Sequence, residues 1–226
     1  LFPLHIFMLG ILIFIEFGKW FAESKGLKFN NAAFTGPNSI GEIIPNLFLI
    51  QAWLGSSESL SFNHPSWFIS ILYYIYFICY FLVIAGGRFL KQIVFVLAVI
   101  SYVGWSLNNG FVKGGVLTGL SCFFSGCVAY CLYEKNSNIQ FGKAVFNFLE
   151  IGSLVLGYVI VTSGLDEKHI LSILIFCLIT IIFSFERGWL SSVLKIEVIR
   201  YLGKLSFSIY MIHAAIIFCL ISLAMI

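Results

Sequence analysis

Seven stretches of the chain are long and apolar enough to cross a membrane as helices, and this pattern constrains the fold most. A spanning helix needs about 20 predominantly apolar residues. The stretches are 1–21, 66–85, 89–107, 115–133, 141–162, 170–185 and 205–226, the sixth being the shortest. Of the 226 residues 60% are hydrophobic and only 10% are charged, and the mean hydropathy is +1.01, which excludes an ordinary soluble domain. We predict an all-α fold, a polytopic transmembrane bundle with seven spanning helices.

Lysine and arginine are distributed unevenly among the six connectors. The second, fourth and sixth connectors, together with the first residues of the stretches that follow them, hold eight of these residues: Arg88, Lys91, Lys135, Lys143, Arg187, Lys195, Arg200 and Lys204. The third and fifth hold only Lys113 and Lys168. Because basic residues are enriched in cytoplasmic loops, we place the even connectors in the cytoplasm and predict a multi-pass protein of the plasma (inner) membrane. No basic run suits nucleic acid.

The first connector, residues 22–65, is long and holds three of the four prolines. Within it, residues 46–53 are apolar but too few to span, so they lie at the interface or dip into the protein. The chain starts with leucine inside an apolar run and ends inside another. We therefore expect a fragment of a longer protein, truncated at both ends.

Three polar residues recur at helical spacing in the last apolar stretch. Ser206, Tyr210 and His213 are four and then three residues apart, which places them on one helix face. Buried polar groups in lipid need partners, so we expect this face to look into protein or a water-filled cavity. His213 is a candidate general base that Ser206 or Tyr210 could orient. The alternative is a structural histidine bonded to a neighbouring helix.

A second polar group opens the second apolar stretch. Asn63, His64 and Trp67 precede Ser70, with Trp67 and Ser70 on one helix face. This group could hold a polar acceptor such as a sugar at the outer end of the helix. For the tyrosines that follow, including Tyr76, an aromatic belt at the interface is the alternative.

These two regions carry a resemblance to a known family. Residues 63–76 resemble the motif Asn-x-Pro-x-Trp-Ser-Leu-Ser-Val-Glu of the membrane acyltransferase-3 family, in which a tyrosine follows four residues later. The matching positions are Asn63, Pro65, Trp67, Ser70 and Tyr76. Residues 202–213 resemble the family's Leu-Gly, Ser-Tyr-Ser and Tyr-Leu-x-His signature, and residues 1–5 resemble the start of its third helix. Two positions depart from the first motif: Phe68 replaces its first serine and Leu72 its glutamate.

The resemblance covers nearly the whole chain and implies a single, partial acyltransferase-3-like domain over 1–226. It also implies an enzyme, an integral membrane O-acyltransferase. Such proteins move an acyl group, often acetyl, from acyl-coenzyme A to a hydroxyl of a cell-surface polysaccharide in the cell envelope of bacteria. The expected partners are membrane lipids, acetyl-CoA or another acyl-CoA as donor, and a glycan acceptor. The resemblance further implies that the family's principal histidine and its donor-binding arginines would lie in segments that precede residue 1.

On this interpretation Asn63, His64, Trp67 and Ser70 contact the acceptor, with Tyr76 nearby. Ser206, Tyr210 and His213 support the reaction or supply a base. Two rival classes stay open: a transporter or flippase for a lipid-linked glycan, and a non-catalytic relative, which Leu72 in place of glutamate favours.

Glu150 is a further candidate inside the fifth stretch. An ionisable group deep in a spanning helix is costly and by default functional. The alternative is a helix that begins near Phe146 and leaves Glu150 at the interface. We assign His169 to a solvated loop. No metal is predicted, because the six cysteines lie in apolar stretches and form no Cys-x-x-Cys pair.

Overall fold

The computed structural model describes residues 2–57, 60–107, 113–164 and 170–224, with side chains up to Leu220, and these contain helices and no β-strand. The α-helices are α1 Phe2–Ser24, α2 Ile43–Leu47, α3 Ser66–Gly86, α4 Leu90–Ser106, α5 Gly114–Asn136, α6 Lys143–Thr162, α7 Ile170–Ser184, α8 Trp189–Leu194 and α9 Glu197–Ala224. Short 3₁₀ turns lie at Gly36–Asn38, Ile40–Glu42 and Gly87–Phe89. The all-helical class is therefore confirmed for the described residues.

The described residues hold five candidate membrane spans, so the count of seven is not confirmed. They are Phe2–Ser24, Ser66–Ser106, Gly114–Asn136, Lys143–Thr162 and Glu197–Leu220. The second and third predicted segments fall in the single 41-residue run Ser66–Ser106, where only the 3₁₀ turn Gly87–Phe89 separates α3 from α4. The sixth is α7, whose 15 residues extend about 22 Å, less than the ~30 Å hydrocarbon core.

The chain divides into two compact units. Unit 1 comprises Leu1–Tyr80, Asn109–Gly119 and Leu205–Ile226, and unit 2 comprises Phe81–Asn108 and Leu120–Lys204. The single domain expected over 1–226 stays a prediction. So does the orientation from basic residues. Lys168 and His169, on which two sequence expectations depend, lie outside the described residues.

The core of unit 1 joins α1, the first connector, α3 and α9. Its buried residues include Met8, Leu9 and Leu12 from α1 and Met211 from α9. The connector contributes Leu49, which is wholly buried. Of the two positions expected for residues 46–53, the structure therefore shows the segment dipping into the protein.

Glycine allows α5 to approach α3 closely within unit 1. A Cβ at Gly119 would lie 2.6 Å from Cγ2 of Ile71, and one at Gly115 would lie 3.3 Å from the Trp67 ring. Helix interfaces in membranes favour small residues for this reason.

The first connector is also anchored to the C-terminal half of α1. Glu16 is 1% exposed, and its carboxylate pairs with Lys19 at 3.2 Å. It also accepts hydrogen bonds from the Phe34 backbone N–H and the Asn38 amide, both at 2.9 Å. The Asn38 Oδ1 in turn accepts from the Phe62 N–H at 2.9 Å. This chain of bonds fixes both ends of the connector that carries the polar residues described next.

Candidate functional site

Unit 1 encloses a network of buried polar side chains where α1, the first connector and the start of α3 meet. Every member is fully buried, and the members are His5, Asn46, Gln51, Ser61, Asn63, Ser66 and Ser70. Most of them come from the connector, which is why an apolar membrane chain can carry so many polar groups in one place. We call this set the polar network.

His5 is held in one tautomer by the connector. Its Nε2 lies 2.8 Å from the backbone oxygen of Asn46. A carbonyl oxygen can only accept, so Nε2 carries the proton and Nδ1 presents a lone pair. The Asn46 amide nitrogen donates to the Glu42 backbone oxygen at 2.9 Å and to the Ser61 hydroxyl at 2.5 Å. Both amide hydrogens of Asn46 are therefore used, and its Oδ1 is left as an acceptor.

The Asn63 amide is oriented in the same way, by a carbonyl oxygen, whereas the Gln51 amide binds a hydroxyl. Asn63 Nδ2 donates to the backbone oxygen of Met211 at 3.2 Å, and turning the amide over would set two acceptors against each other. Gln51 Nε2 donates to the Ser66 hydroxyl at 3.1 Å. Since the Ser66 backbone N–H binds the Asn63 backbone oxygen at 2.8 Å, the two amides belong to adjoining parts of the network.

Ser70 fixes the connector against α3. Its hydroxyl donates to the Leu49 backbone oxygen at 2.5 Å and accepts from the Ala52 N–H at 3.4 Å. The indole N–H of Trp53 reaches the Ser70 backbone oxygen at 3.1 Å. From α5's side, the Lys113 ammonium donates to the backbone oxygens of Gln51, at 3.0 Å, and Ser57. These bonds explain how a segment with few helical bonds of its own stays folded inside unit 1.

The connector is strained where it passes the network. Leu49 and Phe62 have φ angles of 56° and 49°, in the left-handed region that residues with a Cβ rarely adopt. Each such residue costs about 1–2 kcal/mol. Strain of this kind persists only where surrounding contacts enforce it, and it clusters at functional sites.

Five buried acceptor atoms of unit 1 have no donor among the described residues. They are His5 Nδ1, Glu42 Oε2, Asn46 Oδ1, Gln51 Oε1 and Asn63 Oδ1, and we call them the acceptor set. Leaving one buried polar group unsatisfied costs about 1–3 kcal/mol. Five together are comparable with the whole stability of a typical domain, about 5–15 kcal/mol. A natural chain retains such a set where a donor from outside the chain satisfies it.

The structure brings part of the first sequence-predicted group into this network. Asn63 and Ser70 are buried members of the network. Trp67 is half-buried, and its ring lies close to Gly115. His64 is exposed, and Tyr76 is 49% exposed. The group therefore separates into two buried polar residues and two residues on the surface of unit 1.

The second group lies on α9, on one face as expected. Ser206, Tyr210 and His213 are all exposed, however, whereas Met211 and Ala215 carry the packing of the helix. His213 Nδ1 lies 2.6 Å from the Tyr210 backbone oxygen, and the Tyr210 hydroxyl donates to the Pro65 backbone oxygen at 3.4 Å. Unit 1 does not enclose this face as the sequence led us to expect, because the apolar face of α9 is the one that packs.

A family model described as an acyltransferase domain, that of acyltransferase 3, matches residues 1–225. The chain belongs to the acyltransferase-3 family. No curated protein and no solved structure matches it significantly. With five apolar helices of spanning length among its described residues, this acyltransferase-3 protein is an integral membrane protein.

Sequence reasoning missed most of the polar network of this acyltransferase-3 protein. His5, Asn46 and Gln51 were not proposed as site residues, although each is a polar residue inside an apolar stretch. That signal could have identified them as candidates, since such residues are costly in a membrane chain unless partnered. Their convergence could not be read from spacing, because His5 and Asn46 are 41 residues apart.

Glu150 lies in unit 2 and has a complete set of partners. Helix α6 begins at Lys143, so the alternative of a start near Phe146 is wrong, and Glu150 is fully buried. Its carboxylate accepts from the backbone N–H groups of Gly188, Leu190 and Ser191 at 3.1, 2.9 and 3.3 Å, and from the Ser191 hydroxyl. It therefore caps the N-terminus of α8, helped by Asn147, whose Oδ1 accepts from Trp189 N–H at 2.7 Å.

Gly188 is required for this cap. A Cβ at Gly188 would lie 2.1 Å from the Glu150 carboxyl carbon, closer than any real contact.

Among the described residues, no group of three or more His, Cys, Asp or Glu side chains is placed to hold a metal ion.

Proposed function

We propose that this acyltransferase-3 protein moves an acyl group, most simply acetyl, from acyl-coenzyme A to a hydroxyl of a cell-surface glycan in the plasma (inner) membrane. The observation that carries the proposal is the family match over residues 1–225. In this proposal all seven predicted segments cross the membrane, and the donor enters from the cytoplasmic side.

The chemistry is attack of an acceptor hydroxyl oxygen on the thioester carbonyl. The C–O bond forms, the C–S bond breaks, and the hydroxyl proton passes through a base to the departing thiolate of coenzyme A. Hydrogen-bond donors stabilise the charge that develops on the carbonyl oxygen. We assign the acceptor side to Asn63, His64, Trp67 and Ser70.

His213 is the base candidate in the described chain, with Ser206 and Tyr210 as support. The exposure of its ring supports this role, because a base must be reachable by substrate. Its Nδ1 contact with the Tyr210 backbone oxygen leaves Nε2 as the atom that accepts the proton.

The test is mass spectrometry of surface glycans from cells with and without the full-length gene, and from cells that carry His213→Ala. We expect the gene to add an acyl increment to an otherwise intact glycan, and His213→Ala to reduce it at equal membrane abundance. Ile209→Ala, at a 58% exposed position of the same helix, is the matched control and should leave acylation unchanged.

Other outcomes would contradict the proposal in distinct ways. Normal acylation with glycan trapped on the inner leaflet would indicate a transporter. No change in either property would indicate a non-catalytic relative, consistent with Leu72 at the position of the family's glutamate. Full acylation by His213→Ala would remove His213 from the site.

A further inference from the structure

The acceptor set favours the acyl acceptor, rather than the acyl donor, as its ligand. We propose that His5 Nδ1, Asn46 Oδ1, Gln51 Oε1 and Asn63 Oδ1 form a subsite that binds hydroxyl groups of the acyl acceptor, which donate hydrogen bonds to these four atoms. The proposal deepens the proposed function and rests on it only for the statement that the bound hydroxyl compound is acylated.

The four atoms belong to one connected structure. His5 binds Asn46 directly, Asn46 binds Ser61, and Ser61 is two residues before Asn63. Gln51 joins the same region through Ser66, whose backbone N–H binds the Asn63 oxygen. All four side chains are fully buried, so a donor that reaches them is shielded from water.

The polarity of the set selects the class of ligand. His5 Nε2 and both N–H groups of Asn46 bind chain oxygens, and Gln51 and Asn63 each commit one N–H, whereas His5 Nδ1 and all three amide oxygens have no donor. Glu42 adds a carboxylate oxygen without a donor on the same connector. Such a set disfavours phosphates and carboxylates, including those of the coenzyme A moiety, because ionised anions have no hydrogen to donate to it. It accepts O–H groups, of which sugars have several on adjacent carbons.

The Lys113 ammonium holds the part of the connector that carries Gln51. It donates to the backbone oxygens of Gln51 and Ser57, so its charge is directed at the connector and supports the loop. The strained residues Leu49 and Phe62 are part of the same stretch of chain, as expected where a backbone is held in place for binding.

The test uses purified full-length protein in detergent and measures its thermal unfolding with free sugars. The probes are methyl glucoside, methyl rhamnoside and methyl N-acetylglucosaminide, each paired with its per-O-methylated counterpart. O-methylation retains the ring and its acceptor oxygens but removes the O–H donors. We expect at least one free glycoside to raise the Tm by about 3–6 °C at about ten times its Kd, and no methylated counterpart to do so.

Substitutions at Gln51 sharpen the result. Gln51→Met keeps the length of the side chain and removes Oε1, and it should abolish the shift. Gln51→Glu restores an acceptor, to which the Ser66 hydroxyl can donate, and should recover the shift. Gln140→Met, the same change at an exposed position, should behave like wild type.

Three outcomes would overturn the inference: no shift with any free glycoside, equal shifts with the methylated sugars, or an undiminished shift in Gln51→Met. The first would mean that buried water satisfies the acceptor set. If Gln51→Met does not fold, the comparison of free with methylated sugars on wild-type protein still decides. Sugar binding without glycan acylation would refute the proposed transfer but support the subsite. Glycan acylation without sugar binding would support the transfer but refute the subsite.

Discussion

Unit 1 and unit 2 each bury polar groups, but they differ in whether the chain supplies hydrogen-bond partners for all of them. In unit 2 the Glu150 carboxylate accepts four hydrogen bonds from α8 and the residue before it. In unit 1 Asn46, Gln51 and Asn63 each donate from the amide nitrogen but retain an amide oxygen without a partner. A buried polar group that the chain itself satisfies stabilises the fold, whereas one left open costs stability and is available to a ligand.

This contrast reverses the order in which the sequence ranks the residues. Glu150 is the more conspicuous candidate, since a carboxylate inside a spanning helix is functional by default. The structure gives it a capping role that accounts for its burial. The neutral amides of the first connector attract less notice in the sequence, yet they carry the unsatisfied atoms.

Of the three substitutions predicted here, Gly188→Ala should destabilise the protein most, because it disrupts the complete set of hydrogen bonds around Glu150 in unit 2. The new Cβ would displace the Glu150 carboxylate and leave a buried charge with fewer partners, which we expect to cost about 3–5 kcal/mol of unfolding free energy. Thermal unfolding in detergent measures it. Gly142→Ala is the control: it is also an N-cap glycine in extended conformation, and its Cβ would meet nothing within 4 Å. Equal losses in the two variants would show that the close approach does not matter.

Glu150→Gln should have the next largest effect. A neutral amide accepts through one oxygen and turns an N–H₂ group toward backbone N–H groups, so we expect a loss of about 2–3 kcal/mol. Glu134→Gln, in an exposed pair with Lys91, should change the Tm little. Acylation per folded molecule should be retained in Glu150→Gln, and its loss at unchanged stability would restore Glu150 as a functional residue.

Asn63→Ala should have the smallest effect on stability of the three. It removes one hydrogen bond, to Met211, together with an oxygen that is already unsatisfied, so we expect a loss of about 1 kcal/mol. Glycan acylation should fall by more than this stability loss explains. Asn136→Ala removes a similar side-chain to backbone bond at an exposed site and should affect neither property. A stability loss as large as that of Glu150→Gln would remove the contrast between the two units.

Much of the helical fold was predictable because its signals are local. The fifth predicted segment, 141–162, corresponds to α6 at Lys143–Thr162, and the fourth, 115–133, lies within α5 at Gly114–Asn136. The number of spans was not confirmed, because length decides the assignment of two segments. No sequence signal at Gly87 or in the 15 residues of α7 says whether a helix crosses the bilayer or only part of it.

The candidate site was predictable only in part. Asn63 and Ser70 were named from a motif and proved to be buried in the polar network. His213 was named from the same kind of pattern and is exposed on α9. Helical spacing specifies which residues share a face, but the packing of the helix decides whether that face is buried.

By itself the sequence determined the membrane class, the helical segments and the family, because apolar length, 3.6-residue periodicity and short motifs are all encoded within a few turns of chain. Only the tertiary structure decided which polar groups are satisfied. The decisive bonds join residues 38 to 41 positions apart around Glu150, 41 apart at His5 and 148 apart at Asn63. A hydrogen bond needs its two atoms about 3 Å apart, and over such separations only the packing of the whole unit brings them together.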